Sequence, residues 1–183
     1  MNQDISVVIP AYFNISEFKV TFANLINQSK RAKEIIVIDS SKDDLIQDYI
    51  NGLPEIQETE IIYLRSKERL FPGAARNLGA SHAKYHWIAF IDSKTIPPFD
   101  WLKSLLDRAI SSETDLVFGK TKYQAFTTFQ FFVLASTYGY YPIVSLPGTL
   151  ISRKKFLLTD GFNPVLSLIH ISELTRPLEI SYA

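Results

Sequence analysis

The sequence contains no cysteine. Disulfides and thiolate metal sites are thereby excluded, and a reducing cytosol is the compartment this fits. It has no charge surplus either: 19 Lys+Arg stand against 19 Asp+Glu, for a net charge of zero. Sequence-independent binding to nucleic acid usually needs a basic surplus or patch, so no nucleic-acid partner is expected. No uninterrupted apolar stretch reaches the roughly 20 residues that cross a bilayer. The first residues lack a basic region leading into an apolar run, so no signal peptide is expected. No internal repeat, low-complexity tract or Gly/Ser linker divides the chain. A single domain located in the cytoplasm is expected, with peripheral contact at the inner face of the membrane left open.

What is present is a chain of 183 residues, 46% apolar and 21% charged, enough for one domain with a real core. Ile5 to Pro10 is a short β-branched run ended by proline and reads as a buried strand. Phe18, Phe22, Leu25 and Ile26 follow at helical spacing. Glu34 to Asp39 and Glu60 to Leu64 read as further strands. Between them, Ser41 and Asp44 form a capping-box pattern ahead of Leu45, Ile46, Tyr49 and Ile50, with Gly52 as the stop. Pro72-Gly73 breaks the chain before a small-residue helix from about Ala74 to Ala83. Trp87 to Asp92 is a fourth strand, Asp100 caps a helix carrying Leu102, Leu105, Leu106 and Ile110, and Asp115 to Gly119 is a fifth strand.

Strands alternating with helices imply right-handed crossovers and a mostly parallel sheet. Strands apolar at nearly every position imply helices on both faces. Ligands of such sheets bind beyond the C-terminal strand ends. Three strands end there in candidate site residues: Pro10-Ala11-Tyr12, Asp39 and Asp92.

Five motifs in order carry a resemblance. They are SVVIPAYFN, with Phe13 inserted before Asn14; Asp39-Ser40-Ser41-Lys42-Asp43-Asp44; Gly73-Ala74-Ala75-Arg76-Asn77-Leu78-Gly79; FIDSKTIPPFDWL over residues 90–102; and Asp160-Gly161-Phe162-Asn163. Over about residues 5 to 164 the chain resembles the family 2 glycosyltransferases. The resemblance implies an α/β fold of the GT-A, Rossmann-like type, incomplete at the C-terminus, and an inverting transfer from a nucleotide-diphosphate sugar to an unknown glycan, lipid or protein acceptor. It implies a donor site built from Pro10, Ala11, Tyr12, Asp39, Arg76, Asn77, Asp92 and Ser93. In it Asp39 accepts from a base N–H, and Arg76 faces the diphosphate, which suits a guanidinium. Asp92 would hold Mg²⁺ or Mn²⁺ bridging the diphosphate. Each residue also has a plainer reading. Asp39 could serve a helix N-terminus, and Arg76 could form a surface salt bridge.

One position departs from the pattern. Lys94 stands where the second Asp of Asp-x-Asp is expected, replacing an anionic ligand with a cation. Three readings follow: weaker metal binding through Asp92, direct stabilisation of the diphosphate by Lys94, or a site that binds without catalysis. A non-catalytic nucleotide-sugar-binding module is therefore one alternative. A sugar-phosphate nucleotidyltransferase is a weaker one, because the PAYFN turn has neither glycine nor a basic residue. His82 and His86 have no third ligand at metal spacing, so a zinc site or a Ser/His/Asp triad has no support. The aromatics Phe126, Phe129, Phe131, Phe132, Tyr138, Tyr140 and Tyr141 line either an acceptor groove or, more ordinarily, a core.

The resemblance places a general base after Phe162-Asn163-Pro164, in a Glu-Asp pair that deprotonates the acceptor hydroxyl. From Leu166 the chain instead resembles the translation of a transposon-type sequencing adapter, with Leu174 departing from the usual Pro. Residues 1–165 are expected to form the truncated donor-binding domain and 166–183 a non-native tail, with His170 and Glu173 carrying no function. Such a fragment is expected to be inactive.

Overall fold

The computed structural model describes residues 3–122, 128–129, 132, 143–144 and 146–164. Its frame is a six-stranded mixed sheet in the order β3-β2-β1-β4-β8-β5. β1 (Ile5–Ala11), β2 (Glu34–Asp39), β3 (Glu60–Arg65) and β4 (Trp87–Phe90) run parallel. β8 (Thr149–Ser152) lies antiparallel against β4, and β5 (Leu116–Val117) antiparallel against β8. A separate pair joins β6 (Lys120–Thr121) to β7 (Ile143–Val144).

The crossovers form because apolar side chains recur on both sides of the strands. Val7, Ile9, Ile35 and Val37 face one core, with Phe18, Phe22 and Leu25 of α1 (Ile15–Ile26), Ile46 of α2 (Leu45–Asn51), and Leu102, Leu105, Leu106 and Ala109 of α4 (Trp101–Ser111). Val8, Ile36, Ile38, Ile88 and Phe90 face the other, against Ala75, Ala80 and Ala83 in and just after α3 (Pro72–His82), and Phe156 of α5 (Arg153–Leu157). Phe18 and Phe22 are fully buried, each contributing about 1.5–3 kcal/mol of apolar transfer. The small-residue helix lets α3 lie close to the sheet: a Cβ on Gly79 would sit 2.3 Å from Cγ1 of Val8.

The mixed α/β sheet flanked by helices agrees with the expected fold class, and four local expectations are corrected. The fifth strand shrinks to Leu116–Val117, and β8 lies between it and β4. It still runs in the same direction as β4, since both are antiparallel to β8. α3 begins at Pro72 rather than Ala74, because proline's fixed φ and missing N–H suit the first helical position. The Ser41/Asp44 capping box does not form. Asp44 stands at the N-cap of α2 without a side-chain cap bond; its carboxylate pairs with Arg65, and the Ser41 hydroxyl accepts from Phe13 N–H at 2.9 Å. Asp100 likewise holds the N-cap of α4 without a side-chain bond, its carbonyl accepting from Ser104 N–H at 2.8 Å.

No helix of the described residues is long and apolar enough to cross a membrane. Of the aromatic stretch, Phe129 and Phe132 are each 76% exposed. Phe126, Phe131, Tyr138, Tyr140 and Tyr141 lie outside the described residues, as does the segment from 165 to 183.

Candidate functional site

The parallel strands deliver their C-terminal ends to one edge of the sheet. Ala11 pairs in register with Asp39, and Asp39 with Arg65. Phe90 pairs with Val8, so Asp92 leaves the sheet beside the end of β1. Pro10, Ala11, Asp39 and Asp92 are thus brought together by register alone.

Asp39 is fully buried. One carboxylate oxygen accepts from Ser41 N–H and the other from the Tyr63 hydroxyl, both at 2.8 Å. The helix-terminus reading fails here, since α2 starts only at Leu45 and the N–H that Asp39 satisfies belongs to the loop. Burial pushes the Tyr63 hydroxyl far above its ordinary value, and its hydrogen bond to Asp39 and the negative charge there push it further. Tyr63 is therefore a permanent donor that holds Asp39 in place. Arg65 fixes the same loop from outside: it pairs with Asp44 and donates to the carbonyls of Lys42 at 3.2 Å and Asp43 at 3.0 Å.

The chain leaving β1 is strained. Phe13 and Asn14 both take left-handed backbone conformations, with φ 54° and 60°; Asn enters this region readily, whereas for Phe13 it costs about 1–3 kcal/mol. The Phe13 N–H bond to Ser41 and an edge-on contact between the Tyr12 and Phe13 rings, centroids 4.3 Å apart, hold it. The Arg69 guanidinium lies over the Tyr12 ring, 4.6 Å from its centroid.

Arg76 is not a surface residue. Its side chain is fully buried and its Nη2 forms an ion pair with Asp92, which keeps 27% side-chain exposure. Nε and Nη1 of Arg76 are buried and find no hydrogen-bond partner among the described residues; the guanidinium carbon stands 5.8 Å from the Phe162 ring centroid. A buried arginine with orphan donors is costly, so it marks a place where an acceptor is wanted. Asn77 faces elsewhere. Its amide donates to the Phe162 carbonyl at 2.7 Å and accepts from Phe162 N–H at 2.8 Å. That grip fixes the Gly161 turn, whose φ of 71° and contact with Asn77 (an added Cβ would fall 2.7 Å from Oδ1) leave no room for a side chain. Asn77 thus joins the third motif to the fifth. Ser93 sits in a turn closed by Thr95 N–H to the Asp92 carbonyl, 3.0 Å, and its own carbonyl accepts from Thr21 at 2.9 Å. Lys94, exposed on that turn, makes no ion pair among the described residues.

The donor set at this turn does not fit a divalent cation. A divalent cation bridging a diphosphate needs at least one free protein carboxylate, with water and phosphate oxygens completing its shell. The single carboxylate is already paired with Arg76, and Lys94, two residues further on, adds positive charge to the same turn. Among the described residues no three His, Cys, Asp or Glu side chains gather into a metal-holding group.

Sequence reasoning missed Tyr63, Arg65 and Arg69, and the partnership of Arg76 with Asp92. Tyr63 had a faint signal: a polar-tipped ring in an otherwise apolar strand. Arg69 had none, lying in the loop before α3. A surface hollow of about 520 Å³ lined by Lys84, His86, Arg153 and Lys154 lies at the opposite end of β4 from Asp92. The chemistry therefore does not follow the size of the hollow.

The chain resembles known glycosyltransferases. The chain is 29% identical over 121 residues to chondroitin synthase of Escherichia coli, covering 65% of this chain and 17% of that protein. It is 29% identical over 120 residues to poly(ribitol-phosphate) beta-glucosyltransferase of Bacillus spizizenii, covering 64% and 19%. The chain thus spans less than a fifth of these relatives' length. Among solved structures, residues 1–349 of S. aureus TarS in complex with UDP-GlcNAc share the fold, with a TM-score of 0.63 at 18% identity, over 88% of this chain and 48% of that one. The glycosyl transferase family 2 profile matches residues 6–163, nearly all of the described chain, and the protein belongs to that family.

Proposed function

We propose that this chain is the donor-binding part of an inverting glycosyltransferase that takes a nucleotide-diphosphate sugar. The observation that carries the reading is the buried Arg76 paired with Asp92 at the strand ends, beside the end of β1 whose last residue pairs with Asp39. Asp39 accepts from a base N–H, with Tyr63 and Ser41 holding its carboxylate. Pro10 to Tyr12 form the floor beneath the nucleoside, and Arg76, with Asp92 and Ser93, faces the diphosphate. Asn77 acts one step removed, by fixing Phe162 beside Arg76. The UDP-GlcNAc bound by TarS supports this donor class. The acceptor is a glycan, lipid or protein hydroxyl. The base that deprotonates it belongs to sequence beyond Pro164.

Residues 1–165 form the donor domain in this reading and 166–183 are not native, so the chain as it stands binds donor without transferring it. Resequencing the gene across codon 166 tests the latter; an uninterrupted native reading frame through Ala183 would remove it. The central test is a thermal-shift screen of UDP-, GDP- and dTDP-sugars, since a ligand that binds only the folded state raises its melting temperature. Stabilisation by one nucleotide family, lost in Asp39→Ala, is expected. No response to any nucleotide sugar would refute the reading.

A second reading, a non-catalytic nucleotide-sugar-binding module, is favoured by Lys94 at the expected second Asp. Transfer or donor hydrolysis by the intact gene product would exclude it. The nucleotidyltransferase alternative finds no support in the family match.

A further inference from the structure

We infer that the donor diphosphate is held without a divalent cation, by Lys94 together with the orphan donors of Arg76. The inference rests on the nucleotide-sugar reading and deepens it. Three observations carry it. First, the Asp92 carboxylate is engaged by a fully buried guanidinium, so its charge is spent before any metal arrives. Second, Nε and Nη1 of that guanidinium are buried and unpartnered among the described residues, and a phosphate oxygen is the kind of acceptor that a guanidinium fork matches. Third, Lys94 lies two residues from Asp92 in a turn closed by Thr95 N–H to the Asp92 carbonyl and anchored to α1 by Thr21 donating to the Ser93 carbonyl. An exposed ammonium without an ion pair among the described residues is thereby held at the strand ends on a fixed backbone.

The charge count at the turn decides between metal and phosphate. Arg76, Lys94 and Asp92 sum to one positive charge. A dication arriving with the diphosphate would add its charge to a turn already net positive, where two side-chain cations already offset the phosphate charge. A diphosphate entering there is attracted by the same field. Lys94 supplies a point charge to a phosphate oxygen, and Arg76 supplies directional donors. On this account the leaving nucleoside diphosphate is stabilised by side chains of the protein itself.

Isothermal titration of the full chain with UDP, GDP and dTDP, in EDTA and then in Mn²⁺, tests this. The expected result is binding of one diphosphate in EDTA, unchanged within about twofold by Mn²⁺, and weakened about tenfold in Lys94→Ala, as for loss of one charge-assisted phosphate contact. Lys94→Asp is expected to abolish binding in EDTA and to confer dependence on Mn²⁺. Wild-type binding that appears only with Mn²⁺ would overturn the inference and leave the nucleotide-sugar reading standing. Binding in EDTA that Lys94→Ala leaves unchanged would remove Lys94 from the site. Binding of no nucleotide under either condition would overturn both the inference and the donor reading.

Discussion

Asp92→Ala is expected to damage stability, although Asp92 is partly exposed and lies outside regular structure. Among the described residues its carboxylate is the one hydrogen-bonding partner of the Arg76 guanidinium, which has no exposure at all. Truncating it leaves a buried guanidinium unpaired, a change that costs about 3–5 kcal/mol when a pair is wholly buried. Asp92 keeps 27% exposure, so the low end, about 3 kcal/mol, is the expected figure. For a chain of this size that is a fall in melting temperature of roughly 6–12 °C. The reverse truncation is milder. Arg76→Met leaves Asp92 able to reach water and fills the guanidinium's space with an apolar chain, so a loss under about 1.5 kcal/mol is expected. The double variant should sit close to Arg76→Met alone, giving a coupling energy of about 2 kcal/mol or more. Urea denaturation of the four proteins at neutral pH reads all three quantities. A loss below about 0.5 kcal/mol for Asp92→Ala, the level of an ordinary surface substitution, would show that Asp92 is not a buried partner. Additive effects of the two changes would show the same.

Gly79→Ala should cost about 1–3 kcal/mol, the range for overpacking, because the new methyl would meet Val8 at 2.3 Å; a variant as stable as wild type by thermal melting would contradict the packing of α3 on β1. Asn77→Ala should cost about 1–3 kcal/mol, since both Phe162 backbone groups lose their partners, and should speed amide exchange at Phe162; unchanged exchange there would deny the tether. Tyr63→Phe should cost about 1.5–3 kcal/mol, the range for a hydrogen bond to a charged group. Its pH dependence has a definite sign. The folded value of Tyr63 is raised above 10.0, so the unfolded chain releases the proton first. The Tyr63 contribution is fully present below about pH 10 and declines as pH rises through and beyond that value. The wild-type advantage over Tyr63→Phe should shrink in that range by chemical denaturation, and a difference flat with pH would refute the assignment.

Much of the frame was legible in the sequence. ISVVIP, EIIVID and WIAFID are apolar at nearly every position, which only a sheet covered on both faces accommodates, and register then carried Ala11, Asp39 and Asp92 to one edge. The edge of the sheet was less legible. β5 keeps only two residues and β8 was not anticipated, because short antiparallel pairing depends on what lies alongside rather than on the pattern of the strand itself. Local capping signals also misled. Ser41 and Asp44 have the right spacing for a capping box, but Phe13 N–H and the Arg65 guanidinium take their oxygens first.

The sequence by itself determined the α/β architecture, the end of the sheet where the motif residues gather, and the ordered motifs of the family, because these follow from periodicity and from residues adjacent in the chain. Only the tertiary structure decided which charges meet. Arg76 and Asp92 lie 16 residues apart on different elements. Nothing in either local pattern says that the cation is buried or that it consumes the carboxylate expected for a metal. That outcome depends on how closely α3 packs on β1 through Gly79, a long-range distance that no local spacing encodes. It leaves Lys94 as an exposed cation on the turn that follows a carboxylate already paired with Arg76.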